Sequence, residues 1–350
     1  MTSARVAVVG CGTIGKRVAD AVVRQPDMTL AGIAIRSASP AALAAAAGGA
    51  RLYCAEPERR ASLERVGLPI AGNAEQLFAE ADAVVDCGPG STGAERLHVY
   101  AASGLRAVLC GGVPHRSVGL TFCTSGNYAA ALGRTAARVT SCNTTALVRL
   151  LAALRPALPE GRAHATLVRS ASEPDKPRKG ASGATVTLGP SHHASDVRLV
   201  LPWARLTTLA LEAPMVHGHL LTLAAQLDSS VQASEAAALL AAARRIVVRD
   251  APRTTERLRD LAWHRPRADR PEVLVWPDSI AVDDGALLLT AAVHMESIVV
   301  PETIDCVRAL CGLEHDGSAC ARLTDRALDL DEPVRAPVAQ PPRPRQEVFV

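Results

Sequence analysis

The chain has 350 residues, of which 48% are hydrophobic and 21% charged, and its formal net charge is +3. A chain of this length exceeds the size at which one hydrophobic core usually stops growing, so we expect two domains. With 38 basic and 35 acidic residues and no long basic run, the charge excludes an obvious nucleic-acid-binding function. No apolar run approaches the roughly 20 residues of a membrane-spanning helix, so we expect a soluble protein without a membrane partner.

The nine cysteines are odd in number and irregularly spaced, which does not indicate a disulfide framework. The N-terminus runs directly into a predicted strand, without a signal peptide. We therefore expect a cytoplasmic protein. Cys306, Cys311 and Cys320 lack the paired close spacing of a zinc site, so we expect no metal.

Strands and helices alternate in the first 140 residues. Short β-branched runs predict strands at residues 5–9, 29–35, 83–86 and 107–110. Apolar residues at helical spacing predict helices at 16–24, 74–81 and 94–102. This alternation predicts an α/β fold, a Rossmann-type doubly wound parallel sheet, which we assign to a nucleotide-binding domain over residues 1–140.

The pattern changes after residue 140. A helix is predicted at 144–154, strands at 163–170, 206–211, 220–227 and 286–293, and a further helix at 304–313. A polar loop, 172–195, is long enough to suggest a functional role. We therefore expect a second, α+β catalytic domain over 141–302, built on a mixed or antiparallel sheet. A C-terminal helix at about 303–330 completes the first domain, and the Pro/Arg-rich tail, 331–350, is expected to be flexible.

A glycine pattern, Gly10-Cys11-Gly12-Thr13-Ile14-Gly15, follows the first strand and opens the first helix. In this context Gly10 allows a tight turn, Gly12 lets the backbone approach a pyrophosphate, and Gly15 lets helix and strand pack closely. The helix N-terminus then offers N–H groups and positive potential to the anion. The alternative is that these glycines only make a tight turn.

No acidic residue ends the second predicted strand, where an enzyme strict for NAD has one. Arg36 and Ser37 follow that strand instead, and a guanidinium beside a hydroxyl suits the 2′-phosphate of NADP. The sequence therefore predicts NADP or NAD as cofactor and favours NADP. The alternative is a solvated surface arginine.

Cys142 lies where a helix is predicted to start, because Ser141 and Asn143 are both favoured at helix N-termini. Helix N-terminal potential lowers the pKa of a cysteine, and neighbouring backbone donors can stabilise an oxyanion formed when sulfur attacks a carbonyl. Cys142 is therefore a candidate nucleophile. The alternative is a small core residue, as is common for cysteines in cytoplasmic proteins.

These features resemble those of the archaeal-type, or type II, phosphorylating glyceraldehyde-3-phosphate dehydrogenases. The matching motifs occur in that family's order and at about its spacing from residue 4 to residue 330, and together they are specific. They are residues 10–20, Gly111-Gly112, 141–145, Arg169, 190–193, Asp196-Val197, Val293-His294, 296–298 and Pro301-Glu302.

The resemblance implies that Cys142 attacks the aldehyde, that hydride then passes to the nicotinamide, and that inorganic phosphate cleaves the resulting thioester. The substrate would be D-glyceraldehyde 3-phosphate, the product 1,3-bisphosphoglycerate and the assembly a homotetramer. His219 matches the family's catalytic base, with His217 as a local rival. Without the resemblance, a hydrogen-bonded core or surface histidine is the simpler interpretation of either residue.

The resemblance also assigns binding roles. His192 and His193 match a pair at the substrate and phosphate site, although adjacent histidines on a Ser-rich loop can equally be solvated. Arg169 matches a position near the nucleotide, and the alternative for it is a surface ion pair. Nucleotide contacts are implied for Thr13, Ile14, Gly111 and Gly112, and substrate contacts for Ser141 and Asn143.

Three departures from the family fall near the cofactor and substrate. Met295 stands where a glutamine is usual beside the nicotinamide, Ile35 replaces a lysine, and Ser170 replaces the second arginine of a pair. The segment 181–188 also differs. These changes leave two alternatives open: the same chemistry on another phosphorylated aldehyde, or a catalytically inactive nucleotide-binding paralogue.

Overall fold

The computed structural model of the chain describes residues 3–110, 112–171, 184–215, 218–258 and 270–330. Two eight-stranded sheets organise these residues. None of the described helices is both long enough and apolar enough to cross a membrane.

The first sheet is parallel throughout and has the order β4-β3-β2-β1-β5-β6-β8-β7. Its strands are β1 (Ala4–Val9), β2 (Met28–Ile35), β3 (Leu52–Cys54), β4 (Ile70–Asn73), β5 (Ala83–Asp86), β6 (Arg106–Leu109), β7 (Thr121–Phe122) and β8 (Ala136–Val139). The chain builds the sheet outwards from β1 in one direction and then from β5 in the other, so β1 and β5 flank the topological switch point. This order confirms the predicted doubly wound fold.

Helices cover both faces of this sheet, so its strands are almost entirely buried and read as continuous apolar runs. The helices are α1 (Thr13–Val23), α2 (Pro40–Ala47), α3 (Arg60–Arg65), α4 (Ala74–Ala79), α5 (Gly90–Ala102), α6 (His115–Val118) and α7 (Thr124–Asn127). The sequence analysis did not identify α2, whose start is fixed by the Ser39 hydroxyl accepting from the Ala42 N–H.

The second sheet is mixed and has the order β10-β11-β9-β12-β16-β14-β13, with β15 paired to β16. Its strands are β9 (Arg162–Ser170), β10 (Thr185–Val186), β11 (Arg205–Ala213), β12 (His219–Gln226), β13 (Ile246–Val248), β14 (Val273–Val275), β15 (Ala281–Asp283) and β16 (Ala286–Val293). The β9–β11 and β13–β14 pairs are parallel and the others antiparallel. The predicted class of this sheet is confirmed. Its helices are α8 (Cys142–Leu154), α9 (His193–Val200) and α10 (Ala233–Ala242).

The region expected as one long loop, 172–195, contains regular structure in its described part. β10 pairs with β11, and α9 begins at His193. A loop was predicted because α9 is short and its few apolar residues lie among polar ones, so no helical pattern is evident in the sequence. Residues 172–183 of that loop, and the tail 331–350, lie outside the described residues.

The single C-terminal helix expected at about 303–330 is instead two helices, α11 (Val299–Leu310) and α12 (Gly317–Ala327). Gly312, with a φ of 65°, follows the first helix, and the Asp316 carboxylate caps the second by accepting from the Ala319 N–H. Every residue of α11 is buried, and the helix packs on α1, β6 and β8. The chain therefore returns from the second sheet to the first.

Candidate functional site

The glycine turn between β1 and α1 has the backbone geometry that its sequence predicts. Gly10 has a φ of 89°, in the left-handed region that favours glycine. A Cβ on Gly15 would lie 1.9 Å from the Gly10 carbonyl oxygen, whereas a Cβ on Gly12 would meet nothing within 4 Å. Gly10 and Gly15 therefore shape the turn, and Gly12 leaves an open cradle at the helix N-terminus, beside the half-buried Thr13 and Ile14.

This cradle lies at the switch point of the first sheet. Gly10 lies against the backbone of Cys87 and Gly88, which follow β5. A Cβ added to Gly10 would be 3.5 Å from backbone atoms of both residues. The buried Asp86 carboxylate holds that neighbouring loop by accepting from the Gly88 N–H at 2.8 Å and from the Tyr100 hydroxyl at 2.6 Å. Open α/β sheets bind ligands at this position.

Arg36 and Ser37 are exposed and follow β2 at the same edge of the sheet. The segment after them is tied to the glycine turn, because the Ser39 hydroxyl donates to the Cys11 carbonyl at 3.1 Å. Gly112 is exposed, with a φ of 81°, and Gly111 lies outside the described residues.

Cys142 is the first residue of α8, with Ser141 in extended backbone conformation as the N-cap. The Ser141 and Thr144 hydroxyls are 2.9 Å apart, and within the described part of the chain no side chain caps this helix. The half-buried Cys142 thus sits where first-turn N–H groups and the helix dipole favour negative charge. The structure confirms the predicted helix start.

Asn143 is 1% exposed, and its Oδ1 atom has no hydrogen-bond partner among the described residues. Buried polar atoms in native proteins are nearly always hydrogen-bonded, so an exception needs an explanation. An amide oxygen beside the candidate nucleophile can accept from a bound hydroxyl or amide group.

His219 begins β12, where it pairs with Val293 of β16, a strand on which α8 packs. Its Nδ1 atom accepts from the Ser170 N–H at 2.9 Å, which fixes the neutral tautomer with the proton on Nε2. Burial, and then the positive charge of Arg169, lower the pKa of His219 to about 4. At neutral pH this histidine is therefore uncharged and offers an Nε2–H donor. Its rival His217 lies outside the described residues.

The adjacent histidines differ in environment. His193 is buried as the first residue of α9, and its Nδ1 atom lies 3.0 Å from the Ser191 hydroxyl. His192 is exposed and stacks on His193 with ring centroids 4.2 Å apart. Burial, followed by the charges of His192, Arg169 and His219, lowers the pKa of His193 to about 3.

Arg169 forms a cross-strand ion pair with Glu212, Nη2 to Oε1, at 2.6 Å. The same arginine precedes Ser170 and influences the pKa of both His193 and His219. The structure thus groups Arg169 with the buried histidines and, in this state, gives it the ion-pair contact that the sequence left as an alternative.

Met295 is half-buried in the segment between β16 and α11. The next residue, Glu296, forms an ion pair with Arg17 of α1 at 2.6 Å, and Arg17 also donates to the Thr13 carbonyl at 2.8 Å. This contact, which the sequence analysis missed, joins the segment carrying Met295 to the first turn of the glycine-turn helix. In the sequence, the only signal for this ion pair is a basic residue, Arg17, in the helix that follows the glycine turn.

The site residues fall into two groups. The glycine turn, Arg36 and Ser37 lie at the edge of the first sheet, whereas Arg169, His193 and His219 lie together at the second. Cys142 follows β8 of the first sheet and opens the helix that packs on the second. Among the described residues, no group of three His, Cys, Asp or Glu side chains is placed to hold a metal ion.

Comparison with solved structures shows the same architecture in another protein. The crystal structure of aspartate semialdehyde dehydrogenase II from Vibrio cholerae matches 88% of this chain and 98% of its own, with a TM-score of 0.65 and 12% sequence identity. This match supports the fold alone. The glycine turn at the switch point and the cysteine at a helix start are the features of a nucleotide-dependent dehydrogenase that acts through a thiol.

Sequence comparisons then identify the family. Residues 141–257 match the glyceraldehyde 3-phosphate dehydrogenase C-terminal domain, and residues 4–112 match the dihydrodipicolinate reductase N-terminus. Glyceraldehyde-3-phosphate dehydrogenase 1 of Methanosarcina acetivorans is 38% identical, covering 94% of this chain and 100% of that protein. The enzyme named glyceraldehyde-3-phosphate dehydrogenase from Hyperthermus butylicus is 37% identical, covering 94% and 98%. The chain belongs to the archaeal-type glyceraldehyde-3-phosphate dehydrogenase family.

Proposed function

We propose that this chain catalyses the reversible, NAD(P)-dependent oxidative phosphorylation of D-glyceraldehyde 3-phosphate to 1,3-bisphosphoglycerate. The observation that carries the proposal is Cys142 at the start of α8, on a chain that matches enzymes of that name along almost their whole length. We further propose a division into a nucleotide-binding domain, 1–140, completed by α11 and α12, and a catalytic domain, 141–302.

The residues present fit a dinucleotide. The open cradle at Gly12, the exposed N-terminus of α1 and the position at the switch point together suit a pyrophosphate. When bound, the nicotinamide accepts the hydride that the aldehyde carbon loses. We place Met295 beside this ring and Gly111 and Gly112 along the nucleotide.

Cys142 provides the nucleophile. Its thiolate attacks the aldehyde carbon, and the carbonyl oxygen becomes an oxyanion, which the first-turn N–H groups of α8 can stabilise. Loss of hydride from that carbon leaves a thioester on Cys142. Attack by a phosphate oxygen on the thioester carbon then releases the acyl phosphate and restores the thiolate.

His219 has two possible roles that differ in the position of one proton. In the tautomer that the Ser170 N–H favours, the Nε2–H of His219 can donate to the oxyanion, so that no separate base is needed when the thiolate attacks. Acceptance of a proton at Nε2, the role implied by the resemblance, requires the other tautomer. The Ser170 N–H disfavours that tautomer, because it would face an Nδ1–H.

A substitution separates these roles. Asparagine keeps an N–H donor but cannot act as a base, so His219→Asn retains much of the rate of acyl-enzyme formation if His219 is a donor. A loss of about 10²- to 10⁴-fold is expected for a general base. Single-turnover formation of reduced cofactor measures this step directly.

We assign the phosphate groups of the two reactants to the histidine side of the site. His192, His193 and Arg169 supply N–H donors there, and Arg169 adds a positive charge. Ser141 and Asn143 flank the aldehyde, where the Asn143 Oδ1 atom can accept from the substrate's C2 hydroxyl.

For the cofactor we propose a preference for NADP, with NAD as a second substrate, because exposed Arg36 and Ser37 follow β2. Arg36→Ala is expected to weaken NADP binding about tenfold or more, by loss of a charge-assisted contact, and NAD binding much less. The exposed Arg51, paired with Glu80 at the far end of β3, supplies the matched control Arg51→Ala. Equal losses for both cofactors in Arg36→Ala would contradict the assignment.

We also propose that the protein is a cytoplasmic homotetramer. Multi-angle light scattering of the purified chain, with and without cofactor, tests the assembly. A monomer under both conditions would refute it.

The central experiment follows reduced-cofactor absorbance with purified protein, glyceraldehyde 3-phosphate and each cofactor, with and without phosphate. We expect phosphate-dependent turnover that Cys142→Ser abolishes. Cys311→Ser is the matched control, since Cys311 is a second half-buried thiol that lies remote from α8 in the chain. Absence of turnover with either cofactor would overturn the proposal.

A further inference from the structure

A partly buried ion pair connects the strand that leads to Cys142 with the helix that carries His193. Arg138 of β8 donates through Nη2 to the Asp196 carboxylate of α9. The Arg138 side chain is 10% exposed and that of Asp196 is 17% exposed. The family's proposed chemistry assigns no role to this contact.

Arg138 is fixed to the first sheet by its other donors. Its Nε atom donates to the Thr121 hydroxyl and its Nη1 atom to the Val113 carbonyl, each at 2.8 Å. β8 ends at Val139, and α8 begins at Cys142 after a two-residue connection. The guanidinium is therefore held rigidly relative to the nucleophile.

Asp196 is linked in turn to the histidine pair. Its N–H donates to the His192 carbonyl at 3.1 Å, closing the first turn of α9 around His193. The second sheet supports the same turn, because the Ser191 hydroxyl donates to the Thr208 hydroxyl at 2.7 Å. The Asp196 carboxylate is thus one of the contacts that hold the histidine-bearing turn against the first sheet, together with the packing of α9 on α8 and β7.

We propose that the Arg138–Asp196 pair sets the separation between the Cys142 thiol and the His192–His193 pair, and so selects aldehydes whose phosphate lies two carbons beyond the carbonyl. Both are positioning residues that act through the elements they join. The inference rests on the proposed function, which places a substrate phosphate at the histidines. A displacement of about 1 Å between the groups that hold the two ends of a substrate can cost up to about 100-fold in rate.

The test compares two substrates in one variant. Asp196→Asn keeps the size of the side chain and removes its charge, so the rigid coupling to Arg138 is weakened. We expect kcat/KM for glyceraldehyde 3-phosphate to fall about 10- to 100-fold, whereas kcat/KM for glyceraldehyde, which lacks the phosphate, stays within about twofold. The rate of Cys142 alkylation by iodoacetamide, followed by peptide mass spectrometry, should also stay within about twofold.

Asp27→Asn is the matched control. Asp27 pairs with the buried Arg308 at 2.7 Å and is 18% exposed, but the pair joins α11 to the segment before β2. This variant should leave the ratio of the two kcat/KM values unchanged. Arg138→Lys, which can keep one of the three contacts of Arg138, should give an intermediate ratio and serves as the second variant.

Two outcomes would overturn the inference: an unchanged ratio of the two kcat/KM values in Asp196→Asn, whether both fall equally or neither falls, or a loss of Cys142 alkylation in that variant. These outcomes differ from failure of the proposed function, which would appear as absence of phosphate-dependent turnover in the unmodified protein.

Discussion

Arg149 Nη2 lies 2.6 Å from Glu302 Oε1, and both side chains are fully buried between α8 and α11. Arg245 approaches the same carboxylate oxygen at 3.2 Å, and the Thr124 N–H donates to its other oxygen at 2.7 Å. The helix that begins at Cys142 is therefore fixed to the helix that returns the chain to the first sheet.

Removal of one partner from this pair should be strongly destabilising, because the other charge is left buried without compensation. We expect Arg149→Met to lower the free energy of unfolding by about 3–5 kcal/mol. Urea denaturation of the variant measures this loss. Arg5→Ala breaks the exposed pair with Asp82 and should cost much less stability, because solvent screens that pair. A loss below about 1 kcal/mol in Arg149→Met would show that the network is dispensable.

The pKa of the Glu302 carboxylate predicts how the stability of the protein changes at acidic pH. Burial raises the pKa of Glu302, but the charges of Arg149 and Arg245 outweigh it and lower the pKa to about 2. The pKa of a glutamate in an unfolded chain is about 4.3. Stability from Glu302 is therefore complete above about pH 4.3 and is lost as pH falls through about 2. Glu302→Gln should flatten the stability curve in this window, and an unchanged slope would contradict the assignment.

The buried histidines predict a second window at higher pH. His219 and His193 have pKa values of about 4 and about 3 in the folded chain, whereas an unfolded histidine titrates near about 6.5. The unfolded state binds more protons between these values, so stability falls as pH decreases below about 6.5. His193→Asn should reduce this slope. An equal slope in the variant and in the unmodified protein would refute the prediction.

The glycine turn allows stability and cofactor binding to be separated. A Cβ at position 15 meets the Gly10 carbonyl oxygen, so Gly15→Ala should lower stability by about 1–3 kcal/mol and also weaken cofactor binding. Gly12 has open space and a φ of −90°, which alanine can adopt. Gly12→Ala should therefore keep the melting temperature of the protein without cofactor and weaken cofactor binding about tenfold or more. Full cofactor affinity in Gly12→Ala would contradict the proposal that the pyrophosphate binds in this cradle.

Much of the fold was predictable because its signals are local. β-branched runs indicated β1, β2 and β5. Ser141 indicated a helix start at Cys142, which is the first residue of α8. Two elements were missed for different reasons. The alanine-rich α2 favours a helix and is capped by Ser39, but its apolar residues show no helical spacing. The three-residue strand β3 is too short to show an alternating pattern.

The sequence by itself determined the glycine turn, the cysteine at a helix start and the alternation of strands and helices in the first 140 residues, since each depends on residues a few positions apart. Tertiary structure decided the rest. Arg138 meets Asp196 across 58 positions, Arg149 meets Glu302 across 153, and the Ser170 N–H that fixes the proton of His219 comes from 49 positions away. Side chains this far apart meet only when the sheets and helices pack, because no local periodicity encodes which charge will be buried beside which.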